Sequence, residues 1–127
     1  MAVKYVLLEK GNPGNAAAPK KWYAAAKASG ELTFKKLSKE ISEGSTTVSD
    51  TDVLAVLNDL TKVLKRHLEN GEIVRFGDFG SFQISIKGEG AATASQYNHS
   101  MIKSSKVVFR PGIDLREMMA TLRYEKT

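Results

Sequence analysis

Few side chains in this sequence are spaced for catalysis. The chain has two histidines and no cysteine. His67 lies among Lys65, Arg66 and Glu69, and His99 sits in a distant polar stretch, so the two lack the spacing of a metal-binding pair. The missing cysteines remove disulfides, thiolate zinc sites and thiol nucleophiles together. Ser81 follows a glycine without a Gly-x-Ser-x-Gly elbow. Asp78-Phe79-Gly80 spells a kinase magnesium motif without the strand lysine or catalytic loop that would use it. No enzyme, metal, cofactor or small-molecule substrate is expected. What remains is cationic chemistry. Between residues 87 and 110 lie Lys87, Lys103, Lys106 and Arg110 against Glu89 alone, and between 20 and 39 lie Lys20, Lys21, Lys27, Lys35, Lys36 and Lys39 against Glu31 alone. Ammonium and guanidinium groups along an extended segment suit phosphate oxygens, and each neutralised phosphate releases counterions. Nineteen Lys+Arg against fourteen Asp+Glu give a net charge of +5 and a pI near 9.5, consistent with a polyanionic partner.

The elements that position these cations follow from hydrophobic period and punctuation. Val3 to Glu9 is short, β-branched and aromatic, which predicts a strand, and Gly11-Asn12-Pro13-Gly14-Asn15 breaks it. Lys21 to Lys27 is read as a second strand, because Pro19 and Ser29-Gly30 bound it and Trp22 and Tyr23 favour extended backbone. Thr33 is placed as the N-cap of a helix carrying Phe34, Leu37 and Ile41, which Gly44 ends before a loop at Ser45-Thr46-Thr47. Ser49 with Asp52 three residues on starts a longer helix whose apolar stripe is Val53, Val56, Leu57, Leu60, Val63, Leu64 and Leu68. Asn70-Gly71 closes it. Ile73 to Phe76 predicts a strand, Gly77-Asp78 a tight turn, and Phe82 to Lys87 a half-buried strand of alternating character. Gly88 to Ser95 has too little apolar content to pack and is expected to stay mobile unless a partner holds it. Lys106 to Arg110 reads as the last strand, and after Pro111-Gly112 a final helix capped by Asp114 carries Leu115, Met118, Met119 and Leu122.

Two blocks in this succession, Phe76-Gly77-Asp78-Phe79-Gly80-Ser81-Phe82 and Phe109-Arg110-Pro111-Gly112-Ile113-Asp114-Leu115-Arg116, resemble the body motif and the strand exit of the bacterial HU/IHF histone-like DNA-binding family. The first block has Asp78 inserted where that family usually has glycine. The resemblance runs from about residue 33 to 123, and the layout of the whole chain is similar to an HU-related subgroup with an N-terminal β extension. It implies an α+β fold: two helices, a three-stranded antiparallel sheet with a long β-arm at about residues 86–106, and a C-terminal helix. Residues 1–30 form a two-strand extension and residues 31–127 the HU-like domain. It further implies an intertwined homodimer, joined through the 49–69 helix and the Phe76–Phe82 region, whose two arms clasp double-stranded DNA with little regard for base sequence. Under it, Lys87, Lys103, Lys106 and Arg110 contact phosphates, Arg75 helps from the neighbouring strand, and at the arm tip Tyr97 or Met101 offers an apolar wedge while Asn98 or His99 bonds in a groove. The tip departs from the family pattern, because residues 88 to 102 hold neither proline nor arginine, and so lacks the proline wedge that kinks the duplex.

Length and composition bound the reading. At 127 residues, with 42% apolar and 26% charged residues, the chain fits one ordinary soluble domain. Its longest apolar run falls far short of a membrane span, and the N-terminus lacks a secretory pattern, so a cytoplasmic protein is expected; the resemblance implies in addition a bacterial, nucleoid-associated one. The alternative is a protein-interaction module that keeps the HU scaffold without bending DNA, its N-terminal strand edges pairing with another protein.

Overall fold

The structure, a computed structural model, describes residues 1–44 and 47–127. Ser45 and Thr46 of the expected interhelical loop lie outside the described residues. The chain divides into two compact units, Met1–Thr33 with Met118–Thr127, and Phe34–Glu117.

In the first unit, β1 (Val3–Lys10) and β2 (Lys21–Lys27) pair antiparallel in unbroken register from Lys4 opposite Lys27 to Lys10 opposite Lys21. Local bonds order the connection between them. Asn12 Oδ1 accepts the Gly14 N–H at 2.9 Å and Asn15 Oδ1 accepts the Ala17 N–H at 3.1 Å, so two successive Asx turns reverse the chain. The sequence predicts an extension that ends at residue 30, with residues 31–127 in the second domain. Instead, β6 (Tyr124–Lys126) returns to lie parallel to β1, Val3 opposite Tyr124 and Tyr5 opposite Lys126, making a sheet of order β2-β1-β6. The Val3 N–H donates to Arg123 O at 2.8 Å and the Thr127 N–H to Tyr5 O at 3.0 Å. Leu122 also leaves its expected helix: that helix stops at Ala120, and Leu122 lines a groove with Val3 and Met118.

The second unit begins with α1 (Phe34–Glu43) and α2 (Asp50–Glu69). Ser49 caps α2 as its spacing predicts, its hydroxyl accepting the Asp52 N–H at 3.2 Å, while Asp50 and Asp52 favour the positive end of the helix. Val48 and Val53 line one apolar depression with Ile41 and Val56. At the far end Gly71 takes φ +77°, the Glu72 N–H reaches His67 O at 3.1 Å and the Gly71 N–H reaches Leu68 O at 3.0 Å. This is the paired closure of a Schellman motif. The contact that usually accompanies it is apolar; here His67 Nδ1 lies 2.5 Å from Glu72 Oε2.

Three strands follow, β3 (Val74–Phe76), β4 (Gly80–Gly88) and β5 (Ile102–Pro111), in that order and all antiparallel. Then comes α3 (Ile113–Ala120), which runs past the end of this unit. The two sequence blocks that carry the family resemblance meet here. Gly80 is opposite Pro111 and Phe82 opposite Phe109, and the Phe79–Phe109 and Phe82–Phe109 ring centroids are 5.8 and 4.9 Å apart. The Gly112 N–H donates to Phe79 O at 2.8 Å and the Asp114 N–H to Asp78 O at 3.1 Å, so the Gly77–Phe79 turn supplies acceptors for amides at the start of α3.

Such close approach explains two glycines. A Cβ on Gly112 would lie 2.2 Å from Asp78 O, and one on Gly80 2.5 Å from Phe109 Cζ and 2.6 Å from Arg110 O. Gly71 has open space instead, so alanine there meets only the left-handed backbone strain. Urea denaturation should therefore rank the variants. Gly71→Ala should cost about 1 kcal/mol, whereas Gly112→Ala should cost about 2–3 kcal/mol, because backbone must move. Equal costs would show that the turn and α3 are not locked together.

Very little is buried within one chain. Among the described residues the buried apolar side chain is Val53, while Val56, Phe76, Phe79, Ile86, Val107 and Phe109 are all exposed. A compact chain of this mass exposes about 6,700 Å², and two separately compact units about 8,000 Å²; this chain exposes 10,653 Å².

Candidate nucleic-acid interface

Strand register sorts the predicted cations. Residues directly opposite one another share a face, and successive residues alternate. Ser81 sits between Arg75 on β3 and Arg110 on β5. Two residues further along β4, Gln83 is opposite Val108, then Ser85 opposite Lys106, then Lys87 opposite Ser104. One face of the sheet thus carries Arg75, Arg110, Lys106 and Lys87 interleaved with Ser81, Gln83, Ser85 and Ser104, and its strands place no carboxylate there. All four cations are exposed. Among the described residues none of the four is in an ion pair.

The opposite face carries Val74, Phe82, Ile84, Phe109 and Val107. Phe82, Ile84 and Val107 line a groove of about 660 Å³ with Leu64 and Leu68 of α2. Because the apolar face turns toward the helix, the cationic face turns away from it. Hydrophobic burial, needing no electrostatics, therefore aims the cations outward.

The remaining predicted residues are placed differently. Lys103 lies at an irregularity in the ladder. Lys87 is opposite Ser104 and Gly88 opposite Ile102, so Lys103 is the extra, unopposed residue of a β-bulge. Its ammonium donates to Ser100 O at 3.2 Å, tying the strand to the turn before it. Gly88 permits the narrowing, since a Cβ there would lie 2.1 Å from Met101 O. Tyr97 and His99 fall in the 89–101 connection, which is built from two short 3₁₀ turns, Ala94–Gln96 and His99–Met101. Asn98 Oδ1 caps the second turn by accepting the Ser100 N–H at 2.9 Å. Tyr97 is 43% exposed. The serines and Gln83 between the cations were missed by reading charge alone; the alternation from Ser81 to Lys87 is the signal that finds them.

Among the described residues no three His, Asp or Glu side chains gather as metal ligands, and no helix is long and apolar enough to cross a membrane.

Comparison with known proteins agrees with this architecture. Residues 1–126 match the family described as an HU domain fused to a wHTH, Ig or glycine-rich motif. A candidate bacterial DNA-binding protein from Bacteroides vulgatus ATCC 8482 superposes with a TM-score of 0.66 at 15% identity over 98% of this chain and 47% of its own, so the chain spans about half the length of that protein. HU from an Anabaena HU–DNA cocrystal superposes with a TM-score of 0.53 at 22% identity over 71% of this chain and 99% of its own. No curated protein matches the sequence. At these identities the superpositions speak for the fold, and the match over residues 1–126 decides the lineage: the chain belongs to the HU-HIG family of HU-related domains.

Proposed function

We propose that the protein binds double-stranded DNA as a homodimer, with little base specificity, and organises or compacts it. The observation that carries this reading is the single sheet face on which Arg75, Lys87, Lys106 and Arg110 gather without a carboxylate. Phosphate contacts from such a face supply affinity without reading bases, since sequence is read at base edges. The superposed HU was crystallised with DNA, which supports the same partner. The β4–β5 hairpin and its 89–101 connection are the arm, with Tyr97 and His99 the residues that reach furthest along the DNA and Lys103 stiffening its base. Because residues 88–102 contain no proline, the arm holds the duplex without a proline wedge. The uncovered apolar surface supports a dimer that closes over α2 and the Phe76–Phe82 region. Nucleoid association follows from such activity.

Titrating a labelled duplex at 50 and 200 mM salt tests the proposal. Eight sheet-face cations per dimer fall within the six to ten phosphate contacts that cost about 10³–10⁵-fold in affinity over that interval. Two duplexes of unrelated sequence should bind within a few-fold of each other. Absence of duplex binding at 50 mM salt would overturn the reading in favour of a protein-interaction module on the same scaffold.

A further inference from the structure

The N-terminal sheet carries a charge arrangement that its own fold does not require. Lys10 is directly opposite Lys21, and Lys4 is directly opposite Lys27, at the two ends of the β1–β2 ladder. Both pairs lie on one face, because six residues, an even number, separate Lys4 from Lys10. Like charges directly opposite each other on a sheet are destabilising. At one end Glu125 of β6 stands beside Lys4 and offsets the repulsion. At the other end no acid shares the face: Glu9 and its opposite neighbour Trp22 point to the other side. Lys10 and Lys21 instead rim an open basin of about 700 Å³ with Asn12, Pro13 and Tyr23, and Lys20 directly precedes Lys21 in the chain. Lys10, Lys20 and Lys21 are all exposed.

From this arrangement we infer that this face of the N-terminal sheet is a second contact surface for the phosphate backbone of duplex DNA, separate from the β3-β4-β5 face. The two lysine pairs stand about 20 Å apart at 3.3 Å per strand residue, which spans roughly six base-pair steps at 3.4 Å each. A lone phosphate ion would engage one pair; a polyanion of that pitch engages both and relieves the repulsion within each. Between the pairs lie Leu8 opposite Tyr23 and Val6 opposite Ala25, an uncharged centre that leaves phosphate contact to the ends. Two basic faces on one chain raise each other's effective concentration at the same DNA molecule, so the extension lengthens the footprint and slows release.

The inference rests on the DNA-binding reading, and one experiment separates the two. Binding of a labelled 40-base-pair duplex by the full chain is titrated from 50 to 200 mM salt for the wild type, for Lys10→Ala with Lys21→Ala, and for Lys87→Ala with Lys106→Ala. The Lys10/Lys21 variant should show a salt slope shallower by about 1.8 per chain, which at 50 mM salt is a loss of about two orders of magnitude in affinity. Its melting temperature should hold or rise, because a repulsive pair has been removed. A merely structural role would move both readouts down together. Should melting fall, Lys10→Arg with Lys21→Arg decides: it keeps the charges, so failure to restore binding overturns the inference. An unchanged slope for Lys10/Lys21 beside a reduced one for Lys87/Lys106 also overturns it, while leaving the sheet-face reading intact. A wild type that ignores duplex at 50 mM salt overturns both.

Discussion

Replacing Arg75, Lys87, Lys106 and Arg110 together with alanine is expected to abolish detectable DNA binding at 50 mM salt while leaving the fold in place. Each cation that neutralises a phosphate contributes about 0.9 to the slope of log affinity against log salt, so four remove about 3.6 per chain and about 7 per dimer. Extrapolated to 50 mM salt, the loss exceeds four orders of magnitude per chain. The fold should tolerate the change, because all four side chains are exposed and none of them, among the described residues, is in an ion pair. Surface substitutions of that kind stay within about 0.5 kcal/mol. Lys35→Ala with Lys39→Ala, on α1, should leave the slope unchanged and controls for net charge. A quadruple variant that still binds with the wild-type slope would show that the face is not the interface.

That prediction needs the register, and the register was only partly legible in the sequence. Alternation from Phe82 to Lys87 gives the face of each β4 residue. The partner on β5 is fixed by long-range pairing, in which a slip of one residue would turn Lys106 and Arg110 to the helix side. The bulge does cause such a slip beyond Lys87. No local signal marks Lys103 as the unopposed residue of that bulge. By contrast, the start and stop of α2 were legible because their causes are local: a serine hydroxyl three residues from an amide, and a glycine free to take positive φ. Tyr124 to Lys126 was illegible for the opposite reason. Three residues carry no period, and the strand exists only because β1, more than a hundred positions earlier, offers it an edge. The resemblance of the two phenylalanine-glycine blocks had a physical basis visible only in three dimensions, where the amides of Gly112 and Asp114 bond to the carbonyls of Phe79 and Asp78.

The second large effect concerns assembly. A chain that exposes 10,653 Å², about 2,650 Å² beyond two compact units of its size, has an excess that over two chains comes to about 5,300 Å², the upper end of what obligate homodimer interfaces bury, about 2,000–5,000 Å² in total. Val56 on α2 distinguishes the possibilities, being 64% exposed in the single chain. If the chain worked alone, Val56→Asp would be an ordinary surface change worth a few tenths of a kcal/mol. If a second copy covers α2, the same aspartate becomes an unpaired buried charge costing about 3 kcal/mol or more, so dissociation should rise at least roughly 100-fold for each chain. Sedimentation should find the wild type at twice 13.9 kDa and the variant shifted toward monomer. Thermal unfolding of the wild type should move to higher temperature with protein concentration, as mass action requires of a dimer. DNA binding links this prediction to the first: a monomer presents four sheet-face cations rather than eight, so the variant's salt slope should fall to about half. A variant that is monomeric yet keeps the full slope would separate assembly from binding and refute the clasp.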